Sequence, residues 1–101
     1  MFGKLAEAQQ KAEEIKNRLA LISVEGETEG GLVKVSATGN KNITQIHIDN
    51  SLMKPERKEE LEDLLMVAIE RAMQQAENVS AAEMKNLMGS MMPGLGGLFG
   101  K

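Results

Sequence analysis

The residues able to do chemistry are few, and their spacing assembles no catalytic set. His47 is the sole histidine. A strand register worked out below puts it on a polar face opposite Lys34, where a lone imidazole reads as a surface group rather than a general base. The chain has no cysteine, so it offers no thiolate nucleophile, disulfide or thiolate metal site. Ser23, Ser36, Ser51, Ser80 and Ser90 stand in no nucleophile motif. Glu59, Glu60, Glu62 and Asp63 are acidic enough for a cation, but neighbours on a helix point in different directions and no histidine lies near. With Glu56 they read as acids at the positive end of a helix dipole. The glycines of the last stretch, GSMMPGLGGLFGK, follow no strand and lead into no helix, so they form no phosphate loop. The expectation is a non-enzyme with no cofactor, metal or small-molecule substrate.

The remaining chemistry is charge. The chain has 101 residues and a net charge of −3, whereas nucleic-acid binders usually carry a basic surplus. Only the first segment leans positive, with Lys4, Lys11, Lys16 and Arg18 against Glu7, Glu13 and Glu14. Phe2 and Phe99 are the only aromatic residues, too few for base stacking, which argues against the usual single-strand and RNA modes. Residues 1–20 carry charges throughout, so no signal peptide is expected. No stretch approaches the ~20 apolar residues of a membrane span. A cysteine-free chain of this kind suits a cytoplasm, and no membrane partner is expected.

The elements that position these groups centre on residues 22–49. Two-residue turns at Gly30-Gly31 and around Asn40-Lys41 bring three antiparallel strands together. Val33 then faces Thr28, Val35 faces Gly26 and Ala37 faces Val24 across the first hairpin. Across the second, Val33 faces Ile48, Val35 faces Ile46 and Ala37 faces Thr44. Apolar residues collect on one face, and Glu25, Glu27, Lys34, Ser36, Gln45 and His47 on the other. A one-residue slip would mix the faces, so the register is well specified. Ile43 and Leu32 fall on the polar side and remain unexplained by it.

A sheet with one apolar face needs a cover. The first helix, over residues 2–21, has a heptad seam of Leu5, Ala8, Ala12, Ile15, Leu19 and Ile22. That narrow stripe suits one partner helix better than a sheet, the other reading being an amphipathic helix lying on its own sheet. Lys4, Glu7, Lys11, Glu14 and Arg18 are read as the opposite face, with Glu14 and Arg18 at ion-pair spacing. A second helix opens at Lys54-Pro55. Leu61, Leu64, Leu65, Ala68, Ile69, Ala72, Met73 and Ala76 give it a broad stripe, making it the main cover. With no Gly or Pro before Gly89 it spans about 34 residues, roughly 50 Å, against strands of roughly 23 Å. Its C-terminal half must overhang, bend back or pack on another chain. Residues 1–88 read as one domain and residues 89–101 as a flexible Gly/Met-rich tail. The candidate dimer and core residues are Ile15, Leu19, Ile22, Val33, Val35, Ile46, Ile48, Leu61 and Leu65.

Ordered along the chain, several stretches resemble the YbaB/EbfC family of bacterial nucleoid-associated proteins. They are Met1-Phe2-Gly3-Lys4, Gly30-Gly31-Leu32-Val33-Lys34-Val35, Gly39 at the next turn, Ile48-Asp49-Asn50-Ser51-Leu52, and Leu61-Glu62-Asp63-Leu64-Leu65 followed by Ala68. Asn50 departs from the proline usual there. The resemblance implies an α-β-β-β-α protomer, a tweezers-shaped homodimer and low-stringency binding of duplex DNA in the nucleoid. It nominates Lys4, Lys11, Lys16 and Arg18 in the first helix, and Arg71 and Lys85 in the second, as DNA contacts. The alternative is a protein-interaction module whose helical arms and Met-rich tail grip a protein partner.

Overall fold

The computed structural model describes residues 2–91. Its elements run α1 (Phe2–Ala20), β1 (Ser23–Glu27), β2 (Val33–Thr38), β3 (Ile43–Ile48) and α2 (Lys58–Met91). The strands form one antiparallel sheet in the order β1-β2-β3. Gly30 and Gly31 turn the first hairpin with φ of 74° and 69°, the left-handed region that glycine enters without a Cβ clash. Thr28 is buried and closes the hairpin. Its amide donates to the Val33 carbonyl at 3.0 Å, and its hydroxyl accepts from the Val33 amide at 3.1 Å. Val24 stands opposite Ala37 and Gly26 opposite Val35, as the alternation demands.

The second hairpin matches in part. Val33 faces Ile48 and Val35 faces Ile46, but Ala37 faces Ile43 instead of Thr44. A bulge between Ser36 and Ala37 leaves Thr44 without a ladder partner. Paired residues share a face, so the bulge carries Ile43 from the polar side to the side of Ala37. Leu32, the other misfit, precedes β2 and packs half-buried against the cluster of Val33, Val35, Leu52, Ala68 and Ala72.

The route into α2 is held by polar groups. Asp49 accepts from the Ser51 amide at 2.9 Å and from its hydroxyl, and these bonds hold its carboxyl below the usual range. Arg57 donates to the Ser51 carbonyl at 2.8 Å and to Glu60 at 2.7 Å. Pro55 sits in the short 3₁₀ turn before α2 rather than in α2 itself. The helix then lies on β1 and β2 through small residues: Ala68, Ala72 and Ala76 are fully buried and repeat every fourth position. Gly26 on β1 meets the backbone of this stripe directly. With helix and strand in backbone contact, α2 sits close over β1 and β2 and barely reaches β3. Ile46, expected as core or dimer surface, is accordingly 45% exposed in the protomer, while Val35 across the ladder is fully buried.

α1 does not lie on the sheet. Ile15 and Leu19 are buried, and α1 runs antiparallel to the second half of α2, with Arg18 beside Glu83 and Lys11 near Leu87. α1 thus packs along one side of the overhang, at Glu83 and Leu87, while Met84 and Met88 stay 47% and 58% exposed. The end of α1 is fixed by the second hairpin. The Gly39 amide donates to the carbonyls of Leu19 and Ile22 at 3.0 Å each, and the Asn40 side chain donates to the Lys16 carbonyl at 2.9 Å. The bond to Leu19 satisfies a carbonyl that the helix end leaves open.

Gly89 does not stop α2, which continues to Met91; residues 92–101 of the expected tail lie outside the described residues. Gly89 has nothing within 4 Å of its would-be Cβ and no positive φ. Gly89→Ala is therefore expected to stabilise the protein by up to about 1 kcal/mol, through helix propensity. A thermal melt that falls instead would place the helix end before Gly89.

Candidate nucleic-acid interface

Two antiparallel helices make a narrow arm, and the arm carries most of the nominated cations. Lys11 and Arg18 are spaced by seven on α1, so they fall on one line along the helix. The sequence reading set that line opposite the seam. The structure sets it beside the seam: three residues past Ile15 is only about 60° round a helix of 3.6 residues per turn. Lys11 and Arg18 accordingly border a cavity of about 160 Å³ with Glu14, Ile15, Glu83, Asn86 and Leu87. Lys11 is half-buried, and Lys16 and Lys85 are exposed. None of these lysines makes an ion pair among the described residues. The Lys4 side chain lies outside the described part of α1.

Two nominated residues are already engaged. Arg18 reaches Glu83 at 3.4 Å, a partner on the other helix, and not Glu14 one turn away. Arg71 donates to the Glu27 carbonyl at 2.7 Å, tying α2 to the last residue of β1. It also precedes Lys85 by a stretch of helix roughly 21 Å long, so the structure does not bring Arg71 together with the arm cations. Two further residues bear on the cations of α1: Asn40, read in the sequence only as a turn residue, bonds the Lys16 carbonyl, and Glu83 holds Arg18. Asn40 had a signal, being a turn residue whose side chain can reach a helix end. Glu83 had none, since its partner is 65 residues away.

Elsewhere the surface offers less. His47 faces Lys34 on the open side of the sheet, as expected, in a shallow recess with Glu25, Ser36 and Gln45. Among the described residues no group of three or more acidic or histidine side chains could hold a metal ion, and no helix is long and apolar enough to cross a membrane.

The family model for the YbaB/EbfC DNA-binding family matches residues 1–91. A nucleoid-associated protein of Flavobacterium johnsoniae is 37% identical over 98 residues, covering 97% of this chain and 91% of the relative. One from Beijerinckia indica is 42% identical over 94 residues, covering 90% and 93%. In shape, the chain resembles the crystal structure of the uncharacterized protein HP0035 from Helicobacter pylori, with a TM-score of 0.72 and 26% identity over 89% of this chain and 90% of that one.

Proposed function

The chain belongs to the YbaB/EbfC DNA-binding family, and from that premise we propose that it is a nucleoid-associated protein of the bacterial cytoplasm, binding duplex DNA as a homodimer through its helical arms. The observation that carries the reading is the arm: Lys11, Lys16 and Lys85, on helices that protrude from the sheet, make no ion pair among the described residues. No residue set here is built to read base edges, so contact is to phosphate. Such binding orients the protein without selecting sequence.

The proposed dimer face is the flank where α2 stops short of β3. Ile43 and Ile46 are each 45% exposed there and Met66 is 58% exposed, beside half-buried Ile69 and Met73. The free edge of β3 carries no acid or lysine to repel a second strand, unlike β1 with Glu25 and Glu27. A second copy covers this flank and brings two arms onto one duplex.

The test is titration of a labelled duplex at two salt concentrations. About four phosphate contacts per dimer give log K against log salt a slope of roughly −3.6, with little dependence on sequence. Lys16→Glu with Lys85→Glu is expected to weaken binding to all duplexes by about tenfold or more and to flatten the slope, with unchanged circular dichroism. A wild-type protein that binds no duplex even at low salt sinks the DNA assignment and moves it to a protein partner.

A further inference from the structure

The Arg18–Glu83 pair joins the arm's two helices, and Lys11, which makes no ion pair among the described residues, borders the same cavity. The Arg18 side chain is 58% exposed, while that of Glu83 is only 14% exposed. The carboxylate is therefore fixed in the seam and the guanidinium bends inward to it. Around the pair stand Lys11 and Glu14 from α1 and Asn86 from α2. One nitrogen meets one oxygen at 3.4 Å, short of the two-pronged contact that makes arginine–carboxylate pairs strong. A one-point pair whose guanidinium is 58% exposed is weak and open to exchange. Carboxylate and phosphate present the same chemistry to a guanidinium: paired anionic oxygens in one plane.

Building on the DNA-binding reading, we propose that Glu83 is an intramolecular competitor that occupies Arg18 until a DNA phosphate displaces it. Its role is to hold affinity down. Arg18 engages a phosphate only by giving up Glu83, so each arm binds more weakly than its cations alone would allow. The chain's −3 net charge then reflects in part an acid set against a DNA-contacting cation.

The experiment is duplex titration at two salt concentrations with wild type, Glu83→Gln, Arg18→Ala and the double variant, each checked by thermal melt. Glu83→Gln is expected to bind about two- to five-fold more tightly per arm, the range for an exposed ion pair. Its salt slope stays close to the wild-type value, because Arg18 meets the same phosphate in both proteins. In the Arg18→Ala background the same substitution is expected to change nothing. Glu83→Met, apolar and of similar length, is the second variant should the amide unsettle the seam, and the same gain is expected from it. Equal or weaker binding by both Glu83 variants overturns the proposal. So does an equal gain with Arg18 absent, which would be a general charge effect. Failure of wild type and every variant to bind duplex overturns the DNA reading itself, and this inference with it.

Discussion

Gly26→Ala is expected to lower the melting temperature by more than about 10 °C, the largest effect of a methyl at any of the described glycines. A Cβ at Gly26 would lie inside the surfaces of the Ala72 amide nitrogen and the Ala68 carbonyl oxygen, and 2.8 Å from the Arg71 carbonyl carbon. All of these are backbone atoms, so no side chain can swing aside. Either α2 lifts off β1 or the strand moves, and both open the packing over Val33 and Val35, which are fully buried. Overpacking of a tight core typically costs about 1–3 kcal/mol, and more when backbone must shift. In a domain of this size each kcal/mol is worth about 4–8 °C. Gly39→Ala is the graded comparison. Its Cβ would meet the end of the Leu19 side chain at 2.9 Å and the Leu19 carbonyl at 3.1 Å, so partial relief is available and a smaller drop is expected. Denaturant melts in which Gly26→Ala is no less stable than Gly39→Ala would show that helix and strand are not in backbone contact.

Much of this architecture was legible because local rules agreed. Paired glycines fixed one turn, alternation fixed the faces, and together they fixed the register of Val33 and Val35. What was not legible depends on contacts between distant segments. The bulge at Thr44 left one trace, an isoleucine on the wrong face, and only the partner strand shows that the ladder absorbs it. Gly26 in the middle of an apolar face was a hint of close approach, but not of which backbone approaches. Of the expected seam, Ile15 borders Glu83 and Leu87 of the same protomer's second helix, whereas Leu5, Ala8 and Ala12 are exposed. Arg18 had a plausible partner at Glu14 and takes Glu83 instead, because folding α1 back along α2 outweighs the small gain of a local ion pair. Gly89 carries the signature of a helix stop, and α2 runs through it.

Ile46→Asp is expected to separate the proposed dimer without unfolding the protomer. Ile46 sits across the ladder from Val35 on the same face, yet one is 45% exposed and the other has no exposure. An aspartate at position 46 can keep its charge in water in a lone protomer, whereas at a dimer face it would be buried unpaired, at a cost of several kcal/mol. Sedimentation at micromolar concentration is expected to give the mass of two chains for wild type and of one chain for Ile46→Asp, with matching circular dichroism. Val35→Asp is the contrasting substitution, expected to unfold the protein because its charge has no solvent in either state. The loss carries through to DNA. Two arms on one duplex act as linked sites, and unlinking them is expected to weaken binding by about 10² or more. The salt slope should fall from roughly −3.6 to roughly −1.8, since half the phosphate contacts remain per particle. An Ile46→Asp protein that still sediments as two chains would move the interface away from β3. One that sediments as a single chain with wild-type affinity would show that each arm binds duplex alone.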